Sequence, residues 1–487
     1  MEYFSTRGDS TPSTSSQAIL QGLAPDGGLL IPQAVPALDH HDLQGLDYCA
    51  MGAKILSLFL TDHDPAFLEK ALRDAYGKKN FPDKILDLHP LQEGLFSLEL
   101  WHGPTCAFKD FALMAMPRLL LESKRMNARQ EETVVLVATS GDTGKAALVG
   151  YRDLPGVKIA VFYPDGGTSD IQRLQMVSQQ GGNVQVFAVK GNFDDAQTAV
   201  KKAFHSPALA RELAGKGQQL TSANSINWGR LVPQIIYYFT AYLRLVESGA
   251  VADGAPVDFC VPTGNFGDIM AGFYAKKMGL PVGKLICASN QNNVLADFFA
   301  TGVYDAGRPF YRTASPSMDI LISSNLERLL AHTMGRGEAV AACYRALSAE
   351  RRFALPPEVM ETLRADFSAY WADDAAAMKM ISDTYRSQGY LCDPHTAVAL
   401  CAARDHRRAG GHVPCVVLST ASPYKFSDKV LAALGQPVQE KEFEALHALE
   451  AYTGIPAPPQ LSALEHMPVR FSRVISPQMV EEAARCL

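Results

Sequence analysis

Six short runs of largely β-branched and apolar residues constrain this chain more than any other feature. TVVLVA (from residue 133), KIAVFYP (158) and NVQVFAV (183) come first, then VDFCVP (257), KLICAS (284) and CVVLST (415). Their rhythm of strand-like run and helix-like segment is that of βαβ units, which build parallel sheets covered by helices. The two groups are joined by GRLVPQIIYYFTAYLRLVESG, which reads as a long amphipathic helix. The expected fold class is therefore α/β, with two parallel-sheet lobes and a cleft between them. At 487 residues the chain is long enough for two or three domains. Residues 1–85 read as mainly helical, punctuated by APDGGLLIP, and the stretch between KLICAS and CVVLST as a helical cover.

Composition narrows the classes of function. A hydrophobic fraction of 47%, a charged fraction of 20% and a formal net charge of -6 describe a globular protein without the basic face of a nucleic-acid binder. Any anionic ligand must then be held locally. The longest apolar run is broken by Arg244, and MEYFSTRGDS lacks a signal pattern, so no membrane partner and a cytoplasmic location are expected. Nine cysteines without C-x-x-C spacing argue against a metal site.

The stretch HGPTCAFKDFALM places Lys109 among small, apolar and aromatic residues. Thr105, Cys106, Ala112 and Leu113, its helical neighbours, offer no charge to pair with. Either Lys109 snorkels past apolar neighbours or pairs with Asp110, or it lies in a dry pocket where desolvation leaves its amine nucleophilic.

Two turns suit an anion. VPTGNFGDIMAG runs from strand through Gly264, Asn265, Phe266, Gly267 and Asp268 into a helix, and its amides and helix N-terminus could hold a phosphate without a basic residue. The alternative is a tight βα connection with Asp268 as a capping residue. ATSGDTGKA repeats the arrangement with Ser140, Gly141, Asp142, Thr143 and Gly144. It is not a nucleoside-triphosphate loop, because Thr139 stands where the first glycine is needed and Ala146 where a Ser or Thr is needed. A reactive lysine, a phosphate cradle and a hydroxyl-rich turn together are what pyridoxal phosphate chemistry on an amino acid requires.

With these residues assembled, the chain resembles the threonine synthase family of fold-type-II pyridoxal phosphate enzymes. YFSTRG, GLAPDGGLLIP, HGPTCAFKDF, ATSGDTG, NSINWGR, VPTGNFGD, SPSMDILISSNLERLL, DPHTAVAL and STASPYKF follow in that family's order. The resemblance implies an N-terminal region at 1–85, a smaller substrate-clamping lobe at 130–235, and a larger cofactor-binding lobe at 86–129 and 236–430. A helical insertion at about 300–390 and a C-terminal extension at 431–487 complete the expected division.

The resemblance also implies roles. Lys109 would form the Schiff base with pyridoxal 5'-phosphate and act as the main acid and base. Gly264, Asn265, Phe266, Gly267 and Asp268 would seat the cofactor phosphate, Asp142 would approach its ring, and Thr420 would bond its pyridine nitrogen. A hydroxyl there would not hold a proton on that nitrogen; the alternative for Thr420 is a turn opening the next helix. Ser140, Gly141 and Thr143 would bind the substrate carboxylate. Asn224, Ser225 and Arg230 would bind the phosphate of O-phospho-L-homoserine; the alternative for Arg230 is a solvated helix face. The implied activity is threonine synthesis, the last step of threonine biosynthesis. A phosphohomoserine lyase, a β-replacement enzyme or a non-catalytic cofactor-binding protein would be the rivals. A monomer is favoured over a dimer.

Overall fold

The computed structural model describes residues 1–487 apart from Glu93, Val438 and Glu440, and of Asp194 and Glu442 only the backbone. The N-terminal strands β1 (Tyr3–Ser5) and β2 (Leu30–Pro32) pair antiparallel, with Ser5 opposite Leu30. Between them Gly28 passes so close to Ser5 that a Cβ would lie 2.2 Å from its hydroxyl oxygen. Beyond β1, the STRG segment is fastened to the larger lobe. Thr6 Oγ1 donates to Glu327 at 2.5 Å, and Arg7 binds the same carboxylate bidentately at 2.9 and 2.9 Å. Glu327 is almost wholly buried, and Thr6 and Arg7 supply hydrogen bonds to both of its oxygens there. A second fastening joins His40 and His41 to Asp253, each ring Nε2 lying 2.7 Å from a carboxylate oxygen.

The remaining strands are, in chain order, β3 (Asp87–Pro90), β4 (Leu95–Glu99), β5 (Glu132–Ala138), β6 (Val157–Pro164), β7 (Val184–Val189), β8 (Gln218–Ser222), β9 (Val257–Pro262), β10 (Val282–Ser289), β11 (Val303–Asp305), β12 (Arg352–Ala354), β13 (Phe367–Trp371), β14 (Cys415–Ser419) and β15 (Val474–Ile475). One sheet has the order β15-β7-β6-β5-β8 and is parallel throughout. The other has the order β13-β10-β9-β14-β4-β3, parallel except for the β3–β4 pair. The central strands are buried on both faces, which is why they read as unbroken apolar runs. The turns that follow β5, β9 and β14 carry the residues marked by sequence, as expected where loops leave the carboxyl ends of parallel strands.

Two features depart from the sequence reading. The bridging segment is not one long helix: a short helix, Trp228–Leu231, and a 3-10 turn, Val232–Gln234, precede the helix Ile235–Glu247, in which every residue from Ile235 to Leu243 is buried. The stretch at about 300–390 is not purely helical. FSAYW forms β13, a partly exposed edge strand parallel to β10, and β11 and β12 form a separate antiparallel pair. The C-terminal extension packs on both lobes. Leu446 and Leu449 join the core of the larger lobe, while Ile475, Val480 and Ala484 join that of the smaller one, where β15 adds an edge strand beside β7.

Replacing Arg7 with Ala should leave the Glu327 carboxylate buried with only Thr6 beside it. The expected destabilisation is about 2–3 kcal/mol by chemical denaturation, below the full cost of orphaning a buried charge because Arg7 is partly exposed. Arg7→Lys should recover only part of it, since a lysine cannot make the paired contact.

Candidate active site

Lys109 is placed by a strained, stitched turn. A Cβ at Gly103 would lie 2.5 Å from Asp110 Oδ2, and Cys106 takes a positive φ of 56°. The turn is sewn to the segment after β14 by an antiparallel bridge between Ala107 and Ala421, with the Phe108 amide donating to the Thr420 carbonyl at 2.9 Å. The helix Lys109–Met126 then starts at Lys109 itself. Asp110 does not pair with that lysine. It accepts from the Thr105 amide at 2.8 Å and hydroxyl at 2.6 Å, and burial, opposed by those bonds, pushes its pKa up to about 6. The Lys109 side chain is 12% exposed, with Nζ 3.5 Å from Asp142 Oδ2 and 4.6 Å from the centre of the Phe108 ring. Burial pushes the amine pKa down; Asp142 opposes this, and the nearby Lys425 and Arg230 charges reinforce it. Of the two readings of Lys109, the dry pocket is the one the geometry supports.

The turn after β5 needs glycine where it bends. Gly141 has a φ of 141°, and a Cβ there would lie 2.6 Å from the Gln172 side chain. Thr139 Oγ1 accepts from the amides of Gly141 and Gly144, at 2.9 Å each. Asp142 opens the helix Asp142–Tyr151 and is fully enclosed. Its Oδ1 lies 2.6 Å from Lys425 Nζ and accepts from Gln172 Nε2 at 2.8 Å, while Oδ2 accepts from Ser317 Oγ at 3.3 Å. Burial alone would raise its pKa, but Lys425, Lys109 and the Gln172 hydrogen bond hold it well below the usual carboxylate range. Ser140 and Thr143 are half-buried on the same turn. Lys145 points elsewhere, burying Nζ against Gln179 at 2.7 Å.

The turn after β9 is enclosed by residues 317–325. A Cβ at Gly264 would lie 2.9 Å from the Ser317 carbonyl and 3.1 Å from Ile320 Cδ1. Phe266 adopts a left-handed φ of 63°, an uncommon conformation for a bulky residue and a mark of a turn fixed by its surroundings. The Asn325 amide and side chain both donate to the Asn265 carbonyl at 3.0 Å, and the side chain also reaches Ser225 Oγ at 3.2 Å. The first amides of the helix Gly267–Met278 have no intrahelical acceptor, so the turn could seat an anion with backbone alone. The Asp268 side chain is not part of it. Its Oδ1 accepts from the Tyr237 and Tyr238 hydroxyls at 2.6 and 2.9 Å, and burial raises its pKa to about 6 against those bonds. Asn265 is exposed at the rim.

In NSINWGR the capping residue is Asn227, whose Oδ1 accepts from the Gly229 amide at 2.8 Å. Arg230 is not on a solvated face. It is 4% exposed, donates to the Ala223 carbonyl, and leaves a buried Nε without a partner. No carboxylate among the described residues pairs with it. Burial pushes its pKa down to about 10, and Tyr151 acts the other way. Asn224 and Ser225 are half-buried beside it.

Several residues of the site escaped the sequence reading. Lys425 is fully buried on Asp142, a place its sequence number does not suggest. Its flanks, Tyr424 and Phe426, repeat the local anomaly that marks Lys109. Tyr237 and Tyr238, Gln172 and Asn325 carry no local signal, because their partners are 30 or more residues away. His395 in DPHTAVAL accepts from the Ser317 amide at 3.1 Å while its other nitrogen faces Asp393 at 2.5 Å, so it pins the loop that covers Gly264. The arrangement brings together one enclosed amine with a lowered pKa, a glycine turn with free backbone amides, and a buried guanidinium without a carboxylate partner among the described residues.

Comparison with known proteins agrees with that chemistry. A family model described as pyridoxal-phosphate dependent enzyme matches residues 85–420, and models of the threonine synthase N terminus and C-terminal region match 2–76 and 396–483. Threonine synthase of Pseudomonas aeruginosa is 40% identical over 90% of this chain and 91% of its own. The crystal structure of PLP-bound threonine synthase from Brucella melitensis superposes with a TM-score of 0.88 at 37% identity, covering 100% of this chain and 99% of that one. Human threonine synthase-like 1 is 39% identical over 91% of this chain, which spans only 61% of that protein's length. Matched from end to end by models and relatives of one kind, the chain belongs to the threonine synthase family of pyridoxal-phosphate-dependent enzymes.

Proposed function

We propose that the chain converts O-phospho-L-homoserine and water to L-threonine and phosphate, the last step of threonine biosynthesis. The observation that carries this reading is Arg230, a guanidinium buried without a carboxylate beside the reactive lysine. The glycine turn after β9 already provides for one phosphate, and a buried unpaired cation is costly unless an anion arrives to meet it. A substrate that brings its own phosphate explains both.

The residues present fit pyridoxal 5'-phosphate. The Gly264 turn lacks a side chain where a Cβ would meet the Ser317 carbonyl, and Lys109 offers an enclosed amine. When bound, the cofactor supplies an aldehyde that captures amino groups and a ring that accepts electron density from neighbouring carbons. Lys109 would hold it, with the amides of Asn265, Phe266, Gly267 and Asp268 at its phosphate and Thr420 at its ring nitrogen. Ser140, the Gly141 amide and Thr143 orient the substrate carboxylate. Lys109, once free, takes the Cα proton and then a Cβ proton before phosphate leaves Cγ, and later returns protons to Cγ and Cα, a task that needs its uncharged form. Asn224, Ser225 and Arg230 hold the substrate phosphate and keep its charge as it leaves Cγ. Water then reaches Cβ.

Incubation of the purified protein with cofactor and O-phospho-L-homoserine should release threonine and phosphate in equal amounts. Accumulation of 2-oxobutyrate would identify a lyase instead, and preferential turnover of an unphosphorylated serine derivative would identify a β-replacement enzyme. Arg230→Ala should lower kcat/KM by about 3 kcal/mol, on the order of a hundredfold, with cofactor affinity nearly unchanged. Lys109→Ala should remove both turnover and the borohydride-reducible link to the cofactor.

A further inference from the structure

Asp142 faces two lysines at once. Lys425 Nζ lies 2.6 Å from one carboxylate oxygen and Lys109 Nζ 3.5 Å from the other. The side chains of Lys425, Asp142 and Lys109 are 0%, 2% and 12% exposed, so water screens these charges little. An isolated carboxylate this close would hold Lys109 as an ammonium ion, whereas a nucleophile and base must be uncharged. Lys425 lies on the opposite oxygen and is fixed there by donating to the Thr105 carbonyl at 2.9 Å. We propose that Lys425 is a positioning residue that cancels the Asp142 charge beside Lys109, so that Asp142 can order the site without protonating the reactive amine. This rests on the reading of Lys109 as the cofactor-bearing lysine.

The other charged groups around Lys109 cannot substitute for it. Arg230, from the helix Trp228–Leu231, acts on Lys109 in the same direction but has no contact with Asp142. Asp268, on the helix Gly267–Met278, is bound to Tyr237 and Tyr238. Asp110 is bound to Thr105, and Lys145 to Gln179. Lys425 alone among these shares the carboxylate that touches Lys109.

Trace acetylation of the cofactor-free protein with acetic anhydride from neutral to alkaline pH, read by mass spectrometry of the Lys109 peptide, gives the midpoint at which that amine loses its proton. Lys425→Met should raise the midpoint by about one unit or more, a tenfold loss of uncharged amine at neutral pH. Asp142→Asn should lower it, because Lys425 is then an uncompensated cation. The double variant should return close to the parent, and Lys425→Arg should keep the parent midpoint. A merely structural Lys425 predicts something else: loosening of the pocket would move all the disrupted variants upward toward an ordinary lysine. An unmoved midpoint in Lys425→Met, or a double variant as high as the single one, would overturn the proposal. If Lys425→Met does not fold, Asp142→Asn decides, and a midpoint that fails to fall refutes the role. Borohydride reduction of the loaded parent protein separates the two levels. Label on another lysine would refute Lys109 as the cofactor lysine, whereas label on Lys109 with an unresponsive midpoint would refute only Lys425.

Discussion

A buried carboxylate with two lysines on it organises this molecule. Asp142 begins a helix of the smaller lobe, yet its partners come from the first turn of the Lys109 helix, from the segment after β14 and from the loop at Ser317. Carboxylate burial is tolerable only when charge and hydrogen bonds are both supplied, and here the Lys425 ammonium, the Lys109 amine and two neutral donors supply them. Removing any one partner therefore alters the relative placement of the others. The lobes meet at Lys109, and the carboxylate that joins them lies against its amine.

The site has two places suited to an anion, and they differ in the kind of group that frames them. Beside the turn after β9 the seat is backbone, framed by a helix N-terminus and a glycine that has no room for a side chain. At Arg230 the place is a buried guanidinium that no carboxylate among the described residues pairs with. Asp268 stands at the first of these seats but turns its carboxylate to two tyrosines, which keeps the amides clear. Both seats are supported from behind. Asn325 links Asn265 to Ser225, and the neighbouring Arg328 is buried on the carbonyls of Leu30 and Ile226. Glu327, next in sequence, holds Arg7, so the N-terminal segment braces the same helix that steadies the site.

The parallel-sheet architecture was legible because its strands are buried on both faces and therefore read as apolar runs. Lys109 was legible for a related reason: a charged residue in apolar surroundings is visible from its neighbours alone. β13 was not, since FSAYW is an edge strand set within helices and lacks the same unbroken pattern. The helix at Ile235–Glu247 was legible, but the break before it was not, although Pro233 stands there. Asp268 and Arg230 could each be assigned two ways from sequence, and only the fold shows that one turns to Tyr237 and Tyr238 while the other is buried. Lys425 was missed because the acid that explains it lies in the other lobe, although its aromatic flanks were the clue.

The account stands or falls on protons moved by an uncharged lysine amine while a buried cation holds the departing phosphate. Turnover of O-phospho-L-homoserine in deuterated water measures this directly. Reprotonation of a carbon that began without that hydrogen should give threonine with deuterium in its methyl group, and one phosphate for each threonine. Homoserine formed with no new C–D bond would mean that water displaces phosphate without Lys109 chemistry, and would contradict the account.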